Sequence, residues 1–301
     1  MGTSVLTLDK FRNDLREYAR LAETRYDPAV VDPVLDALAD LWTHSVVGVR
    51  TTTQPVAERD VNARVMHPGD PGELIATLRD AGLLTFTGHP METLLTEVLA
   101  AVPTRSGVDL ALTGGVQKVW LMFPELLSVE RMLGFAGIPD SARGHAAHLA
   151  HYGGQIGIMA VDFTARTLNL YSQVFVPGTL TSADIAEILS DLDFAPAAAD
   201  ELALLGRAFN LYRTFSWTAP EMQRICLPVR LDTESFPVHL DPVLERFVAG
   251  APFADPASRG FVFYAAYGPT GRYFKVQAEY AAAANITFPG GTAPQRVTNS
   301  R

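Results

Sequence analysis

Residues 209–230, FNLYRTFSWTAPEMQRICLPVR, decide how this chain is read. They form two strands joined by a short turn. In the first, Phe209, Leu211, Phe215 and Trp217 share one face, and Asn210, Tyr212, Thr214 and Ser216 share the other. In the second, Ile225, Leu227 and Val229 alternate with Arg224, Cys226 and Pro228. A period of two marks a strand with two unlike faces. The apolar face needs a cover. The polar face carries an arginine, a tyrosine and an asparagine, and this hairpin alone leaves open whether Arg224 meets solvent or an interior.

Working outward, the same pattern recurs. Leu6–Ala22 and Pro28–Thr43 carry helical periodicity, the second opened by Asp27 as N-cap ahead of Pro28. Ser45–Thr53 and Arg59–Met66 read as strands. Helices at Gly72–Ala81 and Met91–Val102 precede strands at Gly107–Thr113 and Val116–Phe123. Helices at Ser128–Phe135 and Ala142–His151 precede strands at Gln155–Asp162 and Arg166–Phe175. Thr181–Leu192 and Ala197–Arg207 lead into the opening hairpin. Asp241–Ala249 is a last clear helix before strands at Phe261–Tyr267 and Arg272–Ala281.

These are five passes through helix, helix, strand, strand, each about 45–60 residues long, and a repeat of that period signals one architecture built by repetition. The class is α+β. Short links make neighbouring strands antiparallel. Ten strands closing into a barrel would lose their edges, and the helices would cover the outer face. The expectation is one domain over residues 1–284, with a loose tail over 285–301.

The 301 residues, 48% of them hydrophobic, suffice for one large core. A net charge of −9 argues against nucleic acid or an anionic membrane surface as the main partner. The single cysteine, Cys226, excludes an internal disulfide and suits a reducing compartment. No stretch approaches the roughly 20 apolar residues of a membrane helix, and the N-terminus lacks a signal-type run. The expectation is a soluble, cytoplasmic protein.

The second face of each strand carries the chemistry. If Val61, Ala63 and Val65 face helices, Asn62, Arg64 and Met66 face inward. Lys118, Trp120 and Met122 share a face, as do Thr167, Asn169 and Tyr171. Gly48, Arg50 and Thr52 oppose Val47 and Val49. Tyr273, Lys275, Gln277 and Glu279 oppose Phe274, Val276 and Ala278. Arg50, Arg64, Lys118, Arg224 and Lys275 therefore converge in one lumen, unless the sheet is open and they face solvent. Such a cluster is expensive to bury unless a polyanion completes it, and a diphosphate fits Arg and Lys donors.

Together these stretches resemble the soluble aromatic prenyltransferases of the ABBA, or PT-barrel, fold. The matching pieces are Thr87-Gly88-His89-Pro90, Leu112 through Lys118, Leu168-Asn169-Leu170-Tyr171, Tyr212 through Trp217 with Arg224-Ile225-Cys226, and Tyr273-Phe274-Lys275. The family is built from five ααββ units. The resemblance implies transfer of a dimethylallyl or geranyl group from its diphosphate to an aromatic small molecule. It implies diphosphate binding by Lys118, Arg224 and Lys275, with Asn169, Tyr171 and Tyr212 as polar partners. Magnesium-dependent members carry an aspartate where Asn62 stands. The resemblance thus points to the metal-independent branch, with no cofactor or metal, and with Arg64 supplying charge in place of the ion. A further family lysine corresponds to Ala165. Arg166 beside it points outward by alternation, so Arg50 compensates.

Glu279 is the candidate base, its alternative role being a structural ion pair with an interior Arg or Lys. Trp120, Ile158, Asn210 and Gln277 are the candidate acceptor pocket, although Trp120 can also be lumen filling. Cys226 reads as a packed residue rather than a nucleophile. Asp32, Asp36 and Asp40 read as a solvated helix face, and Gly268–Arg272 as a turn rather than a phosphate loop. His145, His148 and His151 share a helix at spacing three, but the third rotates off any metal-binding face. A non-catalytic barrel carrying an anionic hydrophobic ligand is the competing function. The family precedent favours a monomer.

Overall fold

A computed structural model describes residues 6–67, 69–173, 178–257 and 259–281. The elements follow the fivefold order. First come α1 (Leu8–Leu21), α2 (Pro28–Ala37), α3 (Ala39–His44), β1 (Val47–Thr52) and β2 (Asn62–His67). Then come α4 (Pro71–Asp80), α5 (Pro90–Ala101), β3 (Arg105–Ala111) and β4 (Gly115–Ser128). The third unit is α6 (Val129–Leu133), α7 (Asp140–Gly144), α8 (Ala146–His151), β5 (Gln155–Asp162) and β6 (Thr167–Gln173). The fourth is α9 (Ser182–Asp191), α10 (Ala199–Leu205), β7 (Asn210–Ser216) and β8 (Arg224–Leu231). The last is α11 (Pro242–Gly250), β9 (Phe261–Gly268) and β10 (Gly271–Ala281).

Consecutive strands pair antiparallel, and β1 closes on β10, completing a ten-stranded barrel. All hairpin turns lie at one end, and all connections to helices lie at the other. Alternation sorts the side chains as expected. Val47, Val49, Val61, Ala63, Val65, Leu168, Leu170, Ile225 and Leu227 are fully buried between wall and helices. A second, smaller cluster, including Trp120, Tyr171, Tyr212, Cys226 and Tyr264, fills the lumen.

Four local expectations are corrected. The helix expected over Pro28–Thr43 breaks at Leu38 (φ −120°, ψ 30°). The break turns Trp42 into the core against Phe11, where its Nε1 donates to the Val34 carbonyl. Asp27 does cap α2, accepting from Ala29 N at 3.0 Å. The helix expected over Ala142–His151 splits at His145 (φ −105°, ψ 21°), just after the helix-weakening Gly144. Strand β4, expected to end at Phe123, runs on to Ser128 through a register shift after Met122, and Ser128 then caps α6 where a helix start was expected. Phe209 turns toward the lumen rather than the helices, since it precedes β7, and Arg230 lies over its ring. The expected tail at 285–301 and the end of the strand expected to reach Phe175 lie outside the described residues.

Arg213 shares the helix-facing side of β7 with Leu211 and Phe215, yet it is fully buried. Its guanidinium donates to Ser172 Oγ at 2.5 Å and to the Tyr152 carbonyl, which caps α8. Burial pushes its pKa down to about 9. Beside it, burial, Arg213, His145 and His151 push His148 down to about 3, with only Asp191 pulling the other way. The ring of Tyr152 packs 5.0 Å away. Because the folded pKa lies below the unfolded value, the unfolded chain takes up the proton first. Stability at this site is full above the ordinary histidine range and falls as pH drops from about 6.5 toward 3. Denaturation midpoints measured across that window fall with a slope of up to one proton, and His148→Gln removes that contribution. An unchanged slope would place the acid sensitivity elsewhere.

Candidate active site

Strand register brings the lumen residues into rows. Arg64 pairs with Asp109, Asp109 with Lys118, and Lys118 with Asp162 across four successive strands. Arg64 Nε donates to Asp109 Oδ1 at 2.8 Å, and Arg50 Nη2 reaches Oδ2 at 3.4 Å. Lys118 Nζ lies 3.0 Å from Asp162 Oδ2, while Asp162 Oδ1 accepts from Thr164 N and Ala165 N in the hairpin turn. Burial opposes the Asp109 charge, but the two arginines outweigh it and hold the carboxyl below its usual range. Lys118 is lowered, chiefly by burial.

A second row runs Asn169, Thr214, Arg224. Arg224 donates to Thr214 Oγ1 at 3.1 Å, and Thr214 Oγ1 donates to Asn169 Oδ1 at 2.6 Å. Arg224 Nη1 also donates to the Tyr273 hydroxyl at 2.7 Å, and its buried Nε has no partner among the described residues. Lys275 Nζ donates to the Tyr212 hydroxyl at 2.7 Å and lies over the rings of Tyr212 and Tyr273. Burial, then Arg224, push Lys275 well below the usual lysine range. Burial works against the Arg224 charge as well, yet the nearby phenol oxygens hold its pKa above the ordinary value.

The charge account is therefore uneven. Arg50, Arg64 and Lys118 have carboxylates beside them. Arg224 and Lys275 face hydroxyls, with no ion pair among the described residues. The sequence reading assembled the five cations correctly but left Asp109 and Asp162 out, along with Tyr264 and Arg230. The signal was available. Both aspartates follow from the same alternation, counted from Gly107 on β3 and from Ile158 on β5.

Between the cations stands a stack of aromatic rings. The Arg64 guanidinium lies 3.8 Å from the Trp120 ring centre. Trp120 packs on Tyr171 at 5.2 Å, and Tyr171 stacks on Tyr212 at 4.5 Å. Toward the helix end the lining becomes apolar, with Ile158, Phe209 and Val262. There Asn210 Oδ1 and Trp120 Nε1 are buried without partners among the described residues. Gln277 accepts from the Tyr264 hydroxyl at 3.1 Å. Glu279 pairs with Arg230 at 2.9 Å near the helix-end mouth. Arg166 falls in the β5–β6 turn with φ 50°, outside any strand. At the hairpin end, a pocket of about 540 Å³ reaches Arg224 and Tyr273 between Thr53, Gln223 and Arg272.

A divalent cation would need free carboxylate oxygens. Both Asp109 oxygens are taken by arginines, Asp162 is satisfied by Lys118 and the turn, and Asn62 donates to Gln117 Oε1 at 2.8 Å. No cluster of three metal-ligating side chains exists among the described residues.

A closed barrel of ααββ units around buried cations and stacked aromatic rings defines a class of prenyl-transferring barrels, and the comparisons agree. Residues 6–288 match the family described as aromatic prenyltransferase Orf2, and the chain belongs to it. It is 28% identical over 263 residues to the furaquinocin biosynthesis prenyltransferase of Streptomyces sp. (strain KO-3988), covering 83% of each chain. It is 29% identical over 256 residues to 5,10-dihydrophenazine-1-carboxylate 9-dimethylallyltransferase of Streptomyces anulatus, covering 82% of this chain and 84% of the relative. Flaviolin linalyltransferase of Streptomyces virginiae is 27% identical over 291 residues, covering 92% and 95%. The crystal structure of NotF in complex with brevianamide F and DMSPP superposes with a TM-score of 0.51 at 12% identity, over 91% of this chain and 93% of that one, which bears on the fold. The protein is an aromatic prenyltransferase, and this favours transfer over the carrier reading. No described helix is long and apolar enough to cross a membrane.

Proposed function

We propose that the barrel moves a dimethylallyl or geranyl group from its diphosphate to an electron-rich aromatic small molecule of secondary metabolism, without a divalent metal. The observation that carries this reading is the pair Arg224 and Lys275, buried cations facing hydroxyls where their neighbours face carboxylates. A diphosphate supplies the missing negative charge, which offsets the burial that depresses Lys275. Lys118, Arg50, Arg64, Asn62, Asn169, Tyr171 and Tyr212 complete the donor site.

The allylic C–O bond breaks, and its electron pair leaves on the diphosphate, stabilised by preorganised Arg and Lys donors. The faces of Tyr212, Tyr171 and Trp120 stabilise the allyl cation. A ring π pair of the acceptor, held among Trp120, Ile158, Asn210 and Gln277, forms the new bond to carbon. Glu279 takes the ring proton, restoring aromaticity. Two features support metal independence: Asn62 stands where a carboxylate would bind the ion, and two arginines occupy both oxygens of Asp109. The protein acts as a cytoplasmic monomer with no nucleic-acid or membrane partner.

The test incubates the protein with dimethylallyl and geranyl diphosphate and a panel of aromatic acceptors, in EDTA and in magnesium. Mass spectrometry reads the gain of a prenyl group. The expected result is product in both conditions. Product in magnesium alone would overturn the role given to Arg64.

A further inference from the structure

Near the helix end of the lumen, Glu279 lies over a stretch of wall that carries no side chain. A Cβ at Gly260 would stand 2.8 Å from Glu279 Oε2, so any larger residue there displaces the carboxylate. The backbone is pinned at the same place, where Glu279 N donates to the Gly260 carbonyl at 2.9 Å. Arg230 reaches across from β8, two strands away, over Val262 of β9. Its Nε donates to Glu279 Oε1 at 2.9 Å. The guanidinium rests 4.6 Å from the centre of the Phe209 ring, which supports it from β7's entrance. Both charged side chains remain 36% exposed, so the pair lines the mouth and is open to a small molecule.

We infer that Arg230 is a positioning residue for Glu279, and that Gly260 is the space that makes the position possible. The deduction rests on the role given above to Glu279. Arg230 occupies Oε1 and stops the flexible carboxylate from sweeping its rotamers. Oε2, over the bare backbone of Gly260, is left to meet the acceptor. A general base works when held within hydrogen-bond reach of the proton it removes, and a mobile glutamate at an open mouth would otherwise spend little time there. The donor site lies deeper and on other residues, so the effect falls on turnover rather than on donor binding.

The experiment uses the full chain, dimethylallyl diphosphate and an acceptor found productive in the assay above. The variants are R230M, R230K, G260A, E279Q and the double variant R230M/E279Q, each checked by thermal unfolding. The expected loss of kcat for R230M is about tenfold, with donor KM within about twofold of the parent. R230K restores most of the rate. G260A reproduces the loss without removing any charge. In the E279Q background, R230M has no further effect, because a residue acting only through Glu279 has nothing left to position. Losses that multiply in the double variant overturn the inference, as does an unchanged rate in R230M. If R230M does not fold, G260A and R230K decide alone, and G260A at the parental rate overturns it. An E279Q variant at the parental rate sinks the base assignment and this inference with it, while leaving the transferase reading intact. Absence of transfer by the parent protein itself would instead fell the proposed function.

Discussion

Arg224→Ala lowers kcat/KM for the prenyl diphosphate by about 30- to 4,000-fold, the equivalent of roughly 2–5 kcal/mol for a buried charge contact. Three features make this position more sensitive than other interior cations. Its guanidinium is held at two points, by Tyr273 and Thr214. It has no carboxylate to share its charge among the described residues, so on the proposed assignment that charge is left for the diphosphate. Its partners are themselves tied into the wall, Thr214 through Asn169, so the donor is preorganised before substrate arrives. Arg224→Lys recovers part of the loss, because an ammonium cannot keep the planar two-point hold. Steady-state kinetics and direct donor binding, with unfolding curves as control, measure it. Parental kinetics in Arg224→Ala would remove the diphosphate from this end of the lumen.

Asp109→Ala costs stability, by about 3–5 kcal/mol. Asp109 is wholly buried and holds two guanidinium groups. Its removal leaves Arg50 and Arg64 as neighbouring buried cations with nothing between them. Asp109→Asn keeps the shape and one acceptor oxygen, and it falls between the two. Chemical denaturation reads both. A midpoint unchanged in Asp109→Ala would mean that the two arginines find other compensation inside the barrel.

Most of the fold was legible because it is written in two periods. Alternation through Leu211, Tyr212, Thr214 and Phe215 sets a wall with a dry side and a polar side, and the helical stretches between hairpins supply the cover. What escaped is where tertiary context overrules local pattern. Leu38 leaves helical geometry because Trp42 needs the core, a demand no residue beside it announces. Arg213 sits among apolar neighbours as a buried cation, because Ser172 Oγ and the Tyr152 carbonyl wait for it across the sheet. Phe209 crosses to the lumen because the strand has not yet begun. In the site, the cations were found by residue type, whereas Asp109 and Asp162 required the faces of β3 and β5 to be assigned. The Arg230–Glu279 pair joins β8 to β10, and it is their common pairing with β9, not any local pattern, that brings the partners together.

The wall has another consequence. Single strands serve both ends of the lumen: β10 gives Lys275 and, four residues on, Glu279, and β7 gives Thr214 and Asn210. Four residues of strand span about 13 Å. On the proposed assignment, a substitution that reshapes the acceptor mouth therefore lies several side chains from the diphosphate clamp, on strands paired to neighbours on both sides. That separation would let acceptor choice be redirected at one end while the proposed leaving-group site at the other keeps its residues.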